Sequence, residues 1–186
     1  TIEDLKGKRF SIGASGSAAN ITAITILELH GLSESDVTLS YLGWDAAMEA
    51  LVDGSIDAAI VLGTLPASAI QQAAILKDIR FVNVDPEKMK ENPLFGTTTV
   101  PAGTYQGQDE DGILPTVDQF IYFSPDLPED LVYEITKLGM EETETLGKAH
   151  PVGKVAEPIT KDQLDFMQGE LHPGVVKYYQ EKGYLQ

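Results

Sequence analysis

Apolar positions along the chain follow two periods, and the first two thirds switch repeatedly between them. Arg9–Ala14 is a short β-prone run, followed by the Gly/Ser turn Ser15–Ser17. In Ala18–His30, Ile21, Ile24 and Leu27 recur at helical spacing, and Ala23, Ile26 and Leu29 widen the apolar face. Gly31 marks a helix stop. Val37–Leu42 alternates as a strand. Asp45–Val52 reads as a short helix ending near Gly54, and Asp57–Leu62 as a buried strand. Pro66 stands near the start of a helix reaching Leu76. Arg80–Val84 predicts another strand and Pro86–Glu91 another short helix.

Strands separated by helical segments predict an α/β fold with a mostly parallel sheet and right-handed crossovers. The rhythm breaks at Asn92. Three Pro and four Gly lie between Pro93 and Pro115, with the acidic cluster Asp109–Asp111. Excursions of this length are usually functional or bridging. Val117–Phe123 then predicts a returning strand. Pro128–His150 predicts a long helix with Pro in its first turn, and Thr160–Gly169 and Pro173–Gly183 predict two shorter ones. The expected organisation is an α/β ligand-binding lobe over residues 1–92 and a Gly/Pro-rich connector or hinge over 93–116. A returning strand with a helical C-terminal tail fills 117–186.

Composition narrows the function. The 186 residues are 42% hydrophobic, enough for a real core. With 13 Lys and Arg against 29 Asp and Glu, the net charge is −16. Such a surface repels phosphate backbones, so nucleic acid is not an expected partner. Cysteine is absent, which removes disulfides, thiolate metal sites and a Cys nucleophile. The longest uncharged run, Ala58–Leu76, contains Gly63, Pro66, Gln71 and Gln72, and reads as strand, turn and helix rather than a membrane span. The chain opens on Thr1 without Met, which reads as a trimmed or excised product.

The sharpest chemical feature is Gly13-Ala14-Ser15-Gly16-Ser17-Ala18-Ala19-Asn20, between a predicted strand and a predicted helix. Small residues admit a ligand close to the backbone, and the first helix amides are unpaired at the positive end of the helix dipole. Ser15 and Ser17 add hydroxyls, which together make a cup for a carboxylate or phosphate. The same residues also read as an ordinary serine N-cap with a tight turn. There is no P-loop lysine and no GxGxxG fingerprint. A second small-residue turn, Gly63-Thr64-Leu65-Pro66, joins strand to helix at the same end of a parallel sheet.

Trp44 reads either as a half-buried core aromatic or as an apolar wall of the crevice. Tyr105, flanked by Gly103 and Gly107, reaches over a ligand or packs the connector onto the domain. His30, His150 and His172 lie at predicted helix boundaries, which favours capping over catalysis. Asp109-Glu110-Asp111 lacks the alternating spacing of a calcium loop. No metal and no cofactor is expected.

Seen in order, several segments resemble the solute-binding receptors of TRAP transporters, specifically the TAXI family. They are Asp4–Lys8, Gly13–Ser17, Ala46–Asp57, Pro66–Gln71, Gly103–Asp111, Leu127–Tyr133, and Leu171–Gly174 before Tyr178-Tyr179. The resemblance implies a type II periplasmic-binding-protein fold, two α/β lobes with the ligand between them, and no enzymatic activity. It implies a periplasmic receptor that captures a small organic anion, a glutamate-like amino acid, dicarboxylate or oxo-acid, and delivers it to membrane permease subunits. Ser15, Gly16, Ser17, Ala18, Asn20, Gly63, Thr64, Leu65 and Pro66 carry over as ligand-facing turns, and Tyr105 as a connector residue.

Family members carry an N-terminal lobe before the segment matching Asp4–Lys8, so this chain is expected to be the second lobe with the C-terminal helices. Its partners would include that missing lobe, or a second copy in a homodimer over the open inter-lobe surface. An α/β enzyme or sensor module binding a phosphate- or carboxylate-bearing molecule is the alternative.

Overall fold

In the computed structural model, residues 1–149 and 151–185 are described. The chain divides into two compact units, Thr1–Asp118 and Gln119–Gln186.

The first unit is a three-stranded parallel sheet with helices on both faces. Its strands are β1 (Arg9–Ser11), β2 (Thr38–Ser40) and β3 (Ala58–Ala59), in the order β2-β1-β3. The register pairs Phe10 with Leu39 and Ala58, and Ser11 with Ser40 and Ala59. The strands are shorter than their apolar runs, but single bonds extend the ladder, such as Ile12 N to Ser40 O at 3.0 Å and Ile60 N to Ser11 O at 2.9 Å.

Helices α1 (Ala18–Leu29), α2 (Trp44–Asp53) and α3 (Ser68–Leu76) follow the three strands in turn. α2 stops where Gly54 adopts φ 83°, a conformation that favours glycine. Consecutive strand residues face opposite layers. Phe10, Ile12 and Ala58 join Ile26, Leu27 and Met89 in one core, while Ala59 packs against the other, built from Met48, Ile70, Ala73 and Tyr105. The short helix α4 (Pro86–Met89) closes the first core. His30 ties α1 to it: Nδ1–H donates to Ile26 O at 2.8 Å, and Nε2 accepts from Asp85 N at 2.9 Å. At the amino edge of the sheet, Arg9 grips Asp57 through Nε at 3.0 Å and Nη2 at 2.7 Å.

Three expectations are corrected here. Arg80–Val84 is not a strand. Val84 N donates to Ile113 O at 3.0 Å, but Ile113 N donates to the side chain of Asn83 at 2.9 Å, so a side chain takes the donor that a ladder needs. Second, the Gly/Pro-rich segment contains an antiparallel ribbon, β4 (Phe95–Val100) with β5 (Gly112–Val117), in register from Phe95↔Val117 to Val100↔Gly112. The β-branched run Thr97–Val100 outweighs the surrounding glycines and prolines. Third, only Val117 of the predicted strand Val117–Phe123 is in a ladder. Among the described residues, the backbone groups of residues 119–123 have no backbone hydrogen-bond partner, and Ile121 and Tyr122 are 73% and 80% exposed. A strand needs a neighbour, and none of the described residues supplies one.

The second unit is helical. The predicted long helix is two, α5 (Glu129–Glu141) and α6 (Thr143–Ala149), while the predicted end His150 lies outside the described residues. The break falls at Glu142, the C-cap of α5, whose carboxylate accepts from the Thr145 hydroxyl at 3.1 Å. Glu141, Glu142 and Glu144 also crowd like charge into one turn. α7 (Lys161–Met167) starts on a capping box between Thr160 and Gln163. α8 (Pro173–Lys182) packs on α5 around Val132, Val175, Tyr178 and Tyr179. His172 caps α8, accepting from Gly174 N at 3.1 Å through Nδ1, and its Nε2–H donates to Leu127 O at 3.1 Å.

Candidate functional site

Each parallel strand is followed, after a loop, by a helix, so the N-termini of α1, α2 and α3 lie toward the carboxyl edge of one sheet. That edge is where open α/β sheets bind ligands.

The first turn is built on glycine. Gly13 has φ 84°, and a Cβ there would lie 2.7 Å from Ala19 Cβ and 3.2 Å from Ser17 Oγ. Only glycine lets the strand fold this closely onto the helix it feeds. Gly16 also has positive φ, at 72°, but faces open space. Ser17 is the N-cap of α1, its Oγ accepting from Asn20 N at 3.2 Å. Ser15, Gly16 and Ala18 are exposed, Ser17 and Asn20 half-buried. The turn is thus a capped helix start with small exposed residues around it.

Three buried polar atoms lack a hydrogen-bond partner among the described residues: Ser11 Oγ and Asn20 Nδ2, which flank this turn in the sequence, and Ser40 Oγ on the neighbouring strand. Ser11 is fully buried, and its register partner is Ser40. A buried polar atom without a partner costs about 1–3 kcal/mol. Ser11 and Ser40 escape the sequence reading, although both β1 and β2 end on serine within otherwise apolar runs.

The second turn is held by two aromatic residues. A Cβ on Gly63 would sit 2.5 Å from the Trp44 ring, so the indole lies directly on the Gly63 backbone. Trp44 is the first residue of α2, whose N-cap, Gly43, offers no side chain to the helix amides. It keeps 39% of its surface exposed, as does Leu65. Thr64 is half-buried, and Pro66 is exposed after a cis peptide bond with Leu65.

The N-cap of α3, Ala67, has no side-chain cap of its own. Its backbone N–H donates to Tyr105 Oη at 2.9 Å. Tyr105 is buried and meets Phe81 edge-on at 5.6 Å. It therefore packs the hairpin onto α3. Asp111, in the acidic cluster, accepts from Ala102 N at 2.8 Å and closes the hairpin loop. Trp44 and Tyr105 both reach the second turn, the first through Gly63 and the second through Ala67.

The edge presents backbone amides and hydroxyls, with one carboxylate, Asp45, in the first turn of α2. Arg9 stands at the opposite end of β1, committed to Asp57, whose carboxyl it holds well below the usual carboxylate range through hydrogen bonds from the guanidinium and from its own backbone N–H. Lys77 donates to Leu51 O at 2.9 Å, at the far end of α2. A shallow depression lined by Thr143, Glu144, Gly147, Lys148 and Lys154 lies in the second unit and contains none of the candidate residues.

A parallel sheet flanked by helices, with three helix starts at one edge, is the architecture of a periplasmic-binding-protein-like lobe. Residues 1–183 match the NMT1-like family, and the chain belongs to that family. Its members are, in general, extracytoplasmic solute-binding proteins rather than enzymes, which implies a small-molecule ligand. No helix among the described residues is long and apolar enough to cross a membrane.

Proposed function

We propose that the chain is the α/β lobe of a TRAP-type receptor of the TAXI family. It captures a small organic anion, a glutamate-like amino acid, dicarboxylate or oxo-acid, and presents it to a membrane permease. The observation that carries this reading is the carboxyl edge itself. Three helix starts converge on it, and at the α1 start Asn20 Nδ2 is buried without a hydrogen-bond partner among the described residues, as are Ser11 Oγ and Ser40 Oγ on the strands β1 and β2. A polar solute, or the water it orders, would satisfy such atoms.

The chemistry fits an anion held without a cation. With a net charge of −16, the protein repels anions at long range, so affinity has to come from local donors. Helix amides and the hydroxyls of Ser15 and Ser17 supply them. Trp44 and Leu65 offer apolar surface for the rest of the solute. Excluding water around the carboxylate strengthens these hydrogen bonds.

The test is a thermal melt of the chain against glutamate, glutamine, 2-oxoglutarate, succinate, a sugar and a nucleotide, with Trp44 fluorescence as second readout. Binding to the folded state raises the melting temperature. A shift with carboxylates and with neither of the last two is the expected result. A shift with the nucleotide alone would overturn the reading.

A further inference from the structure

The tip of the β4–β5 hairpin is built more tightly than a surface loop requires. Gln108 is buried, and its side chain holds the tip from inside. Its Oε1 accepts from Tyr105 N at 3.3 Å, while Nε2 donates to Val100 O at 3.1 Å and Glu110 O at 2.9 Å. This fixes the backbone from which Tyr105 projects. Phe81 and the second core fix its ring. The hydroxyl then meets the Ala67 N–H, in the residue after Pro66.

α3 begins on alanine, which cannot cap a helix, so a hydroxyl 38 residues along the chain accepts one of its otherwise orphaned first amides. The turn before that amide is the one on which Trp44 lies.

We propose that Tyr105 is a positioning residue for the candidate site. Its hydroxyl caps α3 from the hairpin and sets where the Gly63–Pro66 turn stands against Trp44. It acts on the solute through the turn and not by contact, which its burial supports. The proposal refines the role of this residue within the receptor reading, but its test needs no ligand.

Trp44 is the only tryptophan, so its emission reports the turn directly. In Tyr105→Phe the ring keeps its packing and loses only the acceptor. The expected result is that acrylamide quenches Trp44 more efficiently and its emission moves to the red, at temperatures where the chain is fully folded. Tyr133→Phe, which removes the hydroxyl donated to Glu181 in the second unit, is the matched control and leaves both signals unchanged. Amide exchange of Ala67 reads the bond itself. Protection in the native chain is expected, with exchange about tenfold faster in Tyr105→Phe, the loss of one net hydrogen bond.

Unprotected Ala67 in the native chain would overturn the proposal, even if the variant failed to fold. So would unchanged Trp44 signals in a folded variant. Absence of any carboxylate response in the native chain would count against the receptor reading and leave this one standing.

Discussion

The indole of Trp44 lies on the backbone of Gly63, so close that a single methyl on that glycine would fall 2.5 Å from the ring. The two residues are nearly twenty positions apart, on the helix after β2 and in the turn after β3. Their contact fastens two helix starts of one sheet edge together. Gly63→Ala is expected to displace the indole, destabilise the fold by about 1–3 kcal/mol through overpacking, and red-shift Trp44 emission. A thermal melt and an emission spectrum check both. An unshifted spectrum would mean that the ring is not seated on the turn.

The first turn makes a different prediction, because Gly16 faces open space while Ser17 has a partner. Ser17→Ala removes the α1 cap and is expected to cost about 1 kcal/mol of stability. It should also weaken binding of the carboxylate identified in the melt panel by about tenfold, the value of one hydrogen bond to a charged group. Gly16→Val forces a β-branched residue toward φ 72° and should weaken binding at least as much by changing the path of the turn. Isothermal titration of both folded variants is the measurement. Unchanged affinity in both would remove this turn from the site.

Much of this edge was legible in the sequence. Period-two and period-3.6 runs placed β1, α1, β2, α2 and α3, because each carries an apolar face long enough to show its period. Ser15–Asn20 and Gly63–Pro66 stood out as small-residue turns between such runs. What was not legible depended on partners far along the chain. Residues 80–84 have a strand's composition, but Asn83 spends its side chain on the ribbon. Residues 119–123 also read as a strand, yet composition cannot say whether a neighbouring strand is present. Tyr105 left two readings open, and its bond to Ala67, formed across 38 residues, has no signal in the local sequence. Ser11 and Ser40 were overlooked because a buried serine in a strand has no sequence signal until its neighbours are known.

Acid should destabilise the chain through carboxylates that the fold holds ionised. Hydrogen bonding from Lys88 draws Glu3 down to about 2. The Ser33 hydroxyl and backbone, with Lys6, do the same for Asp36, also to about 2. Arg9 depresses Asp57 as well. A depressed folded-state value means stability that is fully present above the ordinary values of 4.5 for Glu and 3.8 for Asp. That stability drains away as pH falls from there toward about 2. Melting temperatures are expected to decline through this window, and Asp57→Asn to flatten the decline while lowering the melting temperature at neutral pH. An Asp57→Asn profile parallel to the native one would show that the Arg9 pair contributes nothing to the acid limb.

The second unit rests on a glycine. A Cβ on Gly174 would lie 2.4 Å from Glu129 O and 2.6 Å from Tyr133 N, both backbone atoms of α5 that no rotamer change can move. Gly174 sits at the start of α8, beside the buried side chains Val132, Val175, Tyr178 and Tyr179. Gly174→Ala must therefore push α8 away from α5 and open that core. Lys177, held between Glu129 at 3.1 Å and Asp130 at 3.0 Å, would lose its seat in the same movement. The expected cost is at the upper end of the ~1–3 kcal/mol typical of overpacking, because the clash is with backbone. Near-UV circular dichroism separates the units, since Tyr133, Tyr178, Tyr179 and Tyr184 cluster in the second and Trp44 belongs to the first. A weakening of the tyrosine bands, with Tyr41 and Tyr105 of the first unit keeping theirs and the Trp44 emission retained, is the expected pattern. A variant with native tyrosine bands would mean that α8 does not approach α5 this closely.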